Sequence, residues 1–113
     1  MKPHRFRLRR PWQCEPAGGG VRWRRPFHRP TGLGPDVRVW IVLEGFSASG
    51  SVTLNGQALG RLDPDQPECR LDATESLRPQ NDLTLDLDAP APAAQPNAGS
   101  APGEVSLEIA TRD

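Results

Sequence analysis

An all-β sandwich or barrel is the fold this sequence predicts, and three observations carry the prediction. Apolar residues recur at every second position in segments spread along the chain, the period that puts strand side chains on one face of a sheet. Asn55-Gly56 sits between two such segments, and a two-residue hairpin turn of type I′ needs positive φ at both of its positions, which Asn tolerates and Gly accepts freely. Roughly six to eight such segments follow at even spacing with turn clusters between them, a pattern of sandwiches and barrels rather than of parallel α/β sheets.

In chain order, Arg5-Phe6-Arg7-Leu8-Arg9 reads as a half-buried strand with Phe6 and Leu8 on one face. Gly18-Gly19-Gly20 is a turn, and Val21-Arg22-Trp23-Arg24-Arg25 repeats the alternation with Val21 and Trp23 inward. Pro26 ends that strand or marks it as an edge, because proline offers no N–H to a ladder. Val37 to Leu43 carries β-branched and aromatic residues on both faces, the composition of a central strand, and Trp40 within it is expected in the core, as is Trp23. A loop over residues 45–50 leads to Val52 and Leu54 on one strand face, then the Asn55-Gly56 turn and Gln57-Ala58-Leu59.

Asp63-Pro64-Asp65 reads as a turn in which Asp caps the local backbone. The segment from Asp72 to Pro79 predicts one helical turn, with Asp72 as N-cap, Glu75 as its capping-box partner and Pro79 preventing continuation. Leu83, Leu85 and Leu87, and then Val105, Leu107 and Ile109, alternate with polar or small residues, so each set predicts a strand with one wet face. The Ala/Pro-rich stretch 89–103 between them has no apolar face to bury and is expected to be a mobile loop.

A chain of 113 residues suits one domain, 1–113. Leu, Ile, Val and Phe total 23 and Pro plus Gly total 24, values that border on disorder, but the net charge of zero does not favour expansion. That zero hides a split: residues 1–40 hold ten basic and two acidic side chains, and residues 41–113 hold four and twelve. Such a split marks either a nucleic-acid-binding arm on an acidic body or basic strands lying beside acidic ones in one sheet. The alternation of arginines with apolar residues favours the second, and no nucleic-acid motif is present.

No apolar run approaches the ~20 residues of a membrane span. The N-terminal segment has charge without an apolar stretch after it, so no secretory signal is read and a cytoplasmic location is expected. Cys14 and Cys69 lack zinc-ligand spacing. Paired, they would stabilise the fold by about 4 kcal/mol on a chain-entropy account; in a reducing cytoplasm free buried thiols are the expected state.

The order of segments carries a resemblance. Pro11-Trp12, Trp23 to Pro30, Val37 to Glu44, Val52 to Gly60, Leu77 to Leu83 and Gly103 to Ile109 together look like the N-terminal sugar-binding-like domain of family 2 glycoside hydrolases, the β-galactosidase type. The resemblance implies a jelly-roll β-sandwich, galactose-binding-domain-like. It also implies a non-catalytic, carbohydrate-associated module, because in that family the catalytic carboxylates belong to a separate barrel domain that does not fit in this chain.

Bland readings cover the chemistry-bearing residues. Glycoside hydrolysis needs two carboxylates flanking one bond, but Asp86 and Asp88 read as the wet side of a strand and Asp63/Asp65 as a turn. Neither His4 nor His28 has a nucleophile context such as GxSxG, and His28 reads as a surface residue at a strand end. No cofactor is implied and no metal site is read; galactose-binding-like folds often hold a structural ion, but no EF-hand-like spacing exists here. Trp12, near loops, is the indole best placed to stack on a sugar, and Arg24, Arg25 and Arg29 are candidate donors to sugar hydroxyls. The expected partner is a carbohydrate or, alternatively, a protein docked by a module with no sugar ligand.

Overall fold

The computed structural model describes residues 4–9, 12–17, 19–88 and 103–111. One antiparallel sheet orders β1 (His4–Arg7), β9 (Glu104–Thr111), β4 (Val37–Glu44) and β7 (Glu68–Asp72) side by side. The other orders β2 (Gln13–Ala17), β3 (Gly20–His28), β8 (Gln80–Leu87), β5 (Gly50–Leu54) and β6 (Gln57–Leu62). The chain passes repeatedly from one sheet to the other, giving the jelly-roll sandwich that the segment order implies.

Period-two patterning decides the inner faces. Val39, Ile41 and Leu43 of β4 and Val105 and Leu107 of β9 pack with Val52 and Leu54 of β5, Leu83, Leu85 and Leu87 of β8, and Val21, Trp23 and Phe27 of β3 in one core. Each fully buried Leu or Val contributes about 1.5–3 kcal/mol by removal from water. At the hairpin Asn55 has φ 54° and Gly56 φ 84°, and Leu54 lies opposite Gln57, which makes the two-residue I′ turn that the sequence predicts.

Several elements differ from expectation, each for a physical reason. β1 ends at Arg7 and is exposed on both faces: it is an edge strand with one neighbour, so Phe6 stays 43% exposed, and Leu8, beyond the strand, is the residue that is buried. β3 continues through Pro26, opposite Asp82, because β2 stops pairing at Arg24 and only one side of the ladder needs donors there. β2 and β7 have no clear alternation and were not legible. The predicted helical turn is a 3-10 turn, Thr74–Ser76, whose N-cap position is Ala73; Asp72 instead accepts from the Thr74 N–H at 3.0 Å, an Asx-type cap without the Glu75 partner. The stretch 89–102 lies outside the described residues.

Trp40 is the clearest correction. It points away from the core, half-buried on the outer face of the four-stranded sheet, with the Arg70 guanidinium 5.5 Å from its ring centroid. Beside it Val42 is fully buried, and the outer face of β9 is not wet either: Ser106 and Glu108 are 5% and 6% exposed. Arginines from flanking strands roof this strip. Glu108 takes Arg5 at 3.1 Å and Arg70, while Arg5 also reaches Glu44 at 3.0 Å.

The charge split resolves as intramolecular pairing. Among the described residues nine ion pairs form, six of them joining an arginine of residues 1–40 to a carboxylate of residues 41–113. Arg22 lies directly opposite Asp86 across β3 and β8 with a 2.7 Å bond, the cross-strand arrangement that contributes up to ~1 kcal/mol per pair. Cys14 and Cys69 are free thiols in different sheets, Cys14 buried and Cys69 half-buried. Among the described residues no helix is long and apolar enough to cross a membrane.

Candidate functional site

With both sheet faces largely self-neutralised, a group of polar side chains gathers at the end of the sandwich where β3 finishes and β8 begins. The outward residues of β3 there are Arg24, Pro26 and His28; facing them on β8 are Asp82 opposite Pro26 and Gln80 opposite His28. Gln13 of β2 lies opposite Arg24, and Asn55 arrives from the β5–β6 turn. Together they line an open depression of about 730 Å³. A second depression of about 440 Å³ adjoins it through His28 and is lined by Arg29, Pro30, Thr31, Gly32, Leu33 and Pro79.

The floor is held by two asparagines. Asn81 is 3% exposed and its carboxamide accepts from the Arg78 N–H at 2.8 Å and the Asn55 side chain at 3.0 Å. It donates to the carbonyls of Arg78, at 2.8 Å, and Phe27, at 3.4 Å. Asn55 in turn accepts from the Asp82 N–H at 2.9 Å and donates to the Ser76 carbonyl at 2.9 Å. A buried carboxamide with all its bonds made rigidifies its surroundings. These bonds hold the hairpin tip, the segment before β8 and the end of β3 in fixed relation.

The four sequence-predicted site residues separate here. Arg24 lines the first depression, ion-paired to Asp82 at 2.5 Å; that hydrogen bond and charge push its guanidinium pKa up. Arg29 lines the second. Arg25 points to the opposite side of β3, where its guanidinium donates to the carbonyls of Arg9, at 2.8 Å, and Pro26. Trp12 is 3% exposed and its indole N–H donates to the Leu8 carbonyl at 3.1 Å, so no ring face is open for stacking. Trp23 is buried too, and its indole N–H has no partner among the described residues.

Sequence reasoning missed Gln13, Gln80 and the asparagine pair. The available signal was the Asn55-Gly56 turn, which marks the hairpin tip without saying that its side chain meets Asn81. The acid pairs are committed elsewhere. Asp86 holds Arg22, Asp88 takes Arg61 and the Ser49 hydroxyl, each at 3.1 Å, and Asp63 caps the Asp65 N–H at 2.9 Å. Among the described residues no three His, Cys, Asp or Glu side chains gather as metal ligands.

The sequence matches no family profile and no curated protein. Its fold is nonetheless that of a segment found in several solved glycosidases. Against a β-glucuronidase of Bifidobacterium dentium, solved with coumarin-3-O-glucuronide, the TM-score is 0.76 at 17% identity, over 98% of this chain and 30% of that one. A rhamnosidase of Novosphingobium sp. PP1Y gives 0.73 at 14% identity, over 97% and 15%. A β-glucuronidase of an uncultured Clostridium gives 0.70 at 14%, over 98% and 29%. At such identities the likeness is one of fold. The chain thus spans less than a third of the length of each of these three, and its fold is the sandwich implied by its order of segments.

Proposed function

We propose that this chain is a non-catalytic, carbohydrate-associated β-sandwich that binds glycan weakly in the depression between the ends of β3 and β8. The observation that carries the reading is the fold likeness to glycosidases of different specificity, over nearly the whole of this chain but a small part of each of theirs. A segment common to enzymes acting on different sugars serves something other than their particular chemistry. The commitment of Asp86, Asp88 and Asp63 to ion pairs and a backbone cap supports the non-catalytic half. The hydrogen-bonding side chains around the depression support the binding half, since few, placed polar groups orient a ligand in a site of this size. Two free thiols support a reducing, cytoplasmic location.

The test is an NMR titration of the labelled protein with a panel of mono- and oligosaccharides. Amide shifts are the appropriate readout, because Trp12 and Trp23 are buried and Trp40 sits on the other sheet. Shifts clustering at Gln13, His28, Asn55 and Gln80 support the reading; no shift with any sugar at millimolar concentration sinks it.

A protein-docking role is the second reading. It is favoured by Phe6, the large apolar side chain exposed on edge strand β1, where an unpaired strand edge offers backbone groups to a partner. A Phe6→Ser variant that loses a co-purifying partner while keeping its melting temperature would support it.

A further inference from the structure

Resting on the glycan-binding reading, we propose that the sugar taken at the β3–β8 end carries a carboxylate, which Arg29 and Arg78 receive. Seven of the eleven described arginines are ion-paired to carboxylates, and Arg25 donates to two carbonyls. The other three, Arg9, Arg29 and Arg78, have no partner for their guanidinium groups among the described residues and are exposed; of these, Arg29 and Arg78 stand at the β3–β8 end. Their backbones are nevertheless fixed on either side of Pro79: the Arg29 N–H donates to the Pro79 carbonyl at 3.0 Å, and the Arg78 N–H donates to Asn81 at 2.8 Å. Arg29, just after β3, thus lines the second depression, and Arg78, just before β8, adjoins its Pro79.

The lining sharpens the ligand class. Its single carboxylate, Asp82, is neutralised by Arg24. A sugar hydroxyl both donates and accepts, and a site that selects neutral sugars profits from free acceptors as well as donors. Guanidinium groups donate only, and their planar fork matches a carboxylate in two parallel bonds. A uronic acid unit satisfies that donor excess, with its remaining hydroxyls available to Gln80, which lies opposite His28 and can donate and accept.

The experiment compares the methyl glycosides of glucuronic and galacturonic acid with those of glucose and galactose, and with sodium acetate, at constant ionic strength, following backbone amides of the whole chain by NMR. The uronates are expected to shift residues 28–33 and 78–82 at lower concentration than the neutral sugars or acetate. Arg29→Gln should weaken the uronate by at least about tenfold, as loss of a charge-assisted bond does, and Arg78→Gln, also exposed, provides the second variant. Equal binding of acidic and neutral sugars, or uronate binding unchanged in both variants, overturns the inference and leaves the glycan-binding reading standing. Acetate binding as well as the uronates reduces the site to a bare anion site and overturns it too. No binding of any sugar removes the glycan reading itself, and the inference with it.

Discussion

The carboxamides of Asn55 and Asn81, 26 residues apart in sequence, are joined by a 3.0 Å hydrogen bond, and through it a hairpin tip becomes part of the floor beneath the candidate site. Asn55 is thus in use twice over. Its backbone supplies the positive φ of the turn, and its side chain ties that turn to β8 and to the 3-10 segment.

Replacing Asn81 should therefore cost more than a typical polar substitution. Asn81→Ala strands the Arg78 N–H and the Asn55 side chain near the core, and a loss of about 2–3 kcal/mol is expected. Urea unfolding measures it. Asn81→Asp keeps the acceptor but forfeits the bonds to the Arg78 and Phe27 carbonyls, and should also destabilise; a midpoint equal to the unsubstituted protein's for either variant would show that the asparagine pair is not holding this end.

Gly56→Val places a β-branched side chain at φ 84°, a region that such residues resist. The expected cost is about 1–3 kcal/mol, seen as a lower melting temperature. An unchanged melting temperature would mean that the turn can re-form as another type without loss.

Acid should weaken the outer face of the four-stranded sheet through Glu108. The Arg70 hydrogen bond, opposed by partial burial and aided by Arg5, holds its carboxyl below the usual carboxylate range. A depressed folded-state pKa means that the unfolded chain takes up the proton first. The stabilisation is complete above the unfolded value, about 4.3, and is lost as pH falls through the folded value. Stability curves of Glu108→Gln and the unsubstituted protein should lie apart at neutral pH and converge in acid; parallel curves down to about pH 3, below that reference value, would contradict the pairing.

Both thiols should be sluggish towards a disulfide reagent at neutral pH. Burial, and then Glu15, pushes the Cys14 thiol pKa up, while burial, and then Asp63, does the same for Cys69, so little thiolate is present to react. Cys69, half-buried and 3.6 Å from the Arg61 carbonyl, should label before Cys14, which requires opening of the sandwich. Mass spectrometry of partly labelled protein gives the order, and earlier labelling of Cys14 would place β2 in a more open state than the structure has.

Much of the sheet architecture was legible because period-two burial is a local property. Val21 and Trp23, Val52 and Leu54, and the leucines of β8 declare their faces without reference to any neighbour, and Asn55-Gly56 declares its turn. Where neighbours decide, the sequence misled. Trp40 has the composition of a core residue, but its strand has two covered faces, and only the placement of Arg70 shows which one the indole occupies. Phe6 alternates correctly yet stays exposed, since burial also requires a strand to have cover on both sides.

The candidate site divides in the same way. Arg24 and Arg29, which the chain suggested as donors, line the two depressions. Trp12 and Arg25 could not be excluded without coordinates, as their burial and carbonyl partners come from residues brought near by folding. By itself, then, the sequence determined a β-sandwich with a type I′ hairpin and a balanced charge split, all consequences of local periodicity and backbone preference. Only the tertiary structure decided which charges cancel and which remain at the β3–β8 end, because pairing across strands depends on register, and register is set by the packing of the whole sandwich.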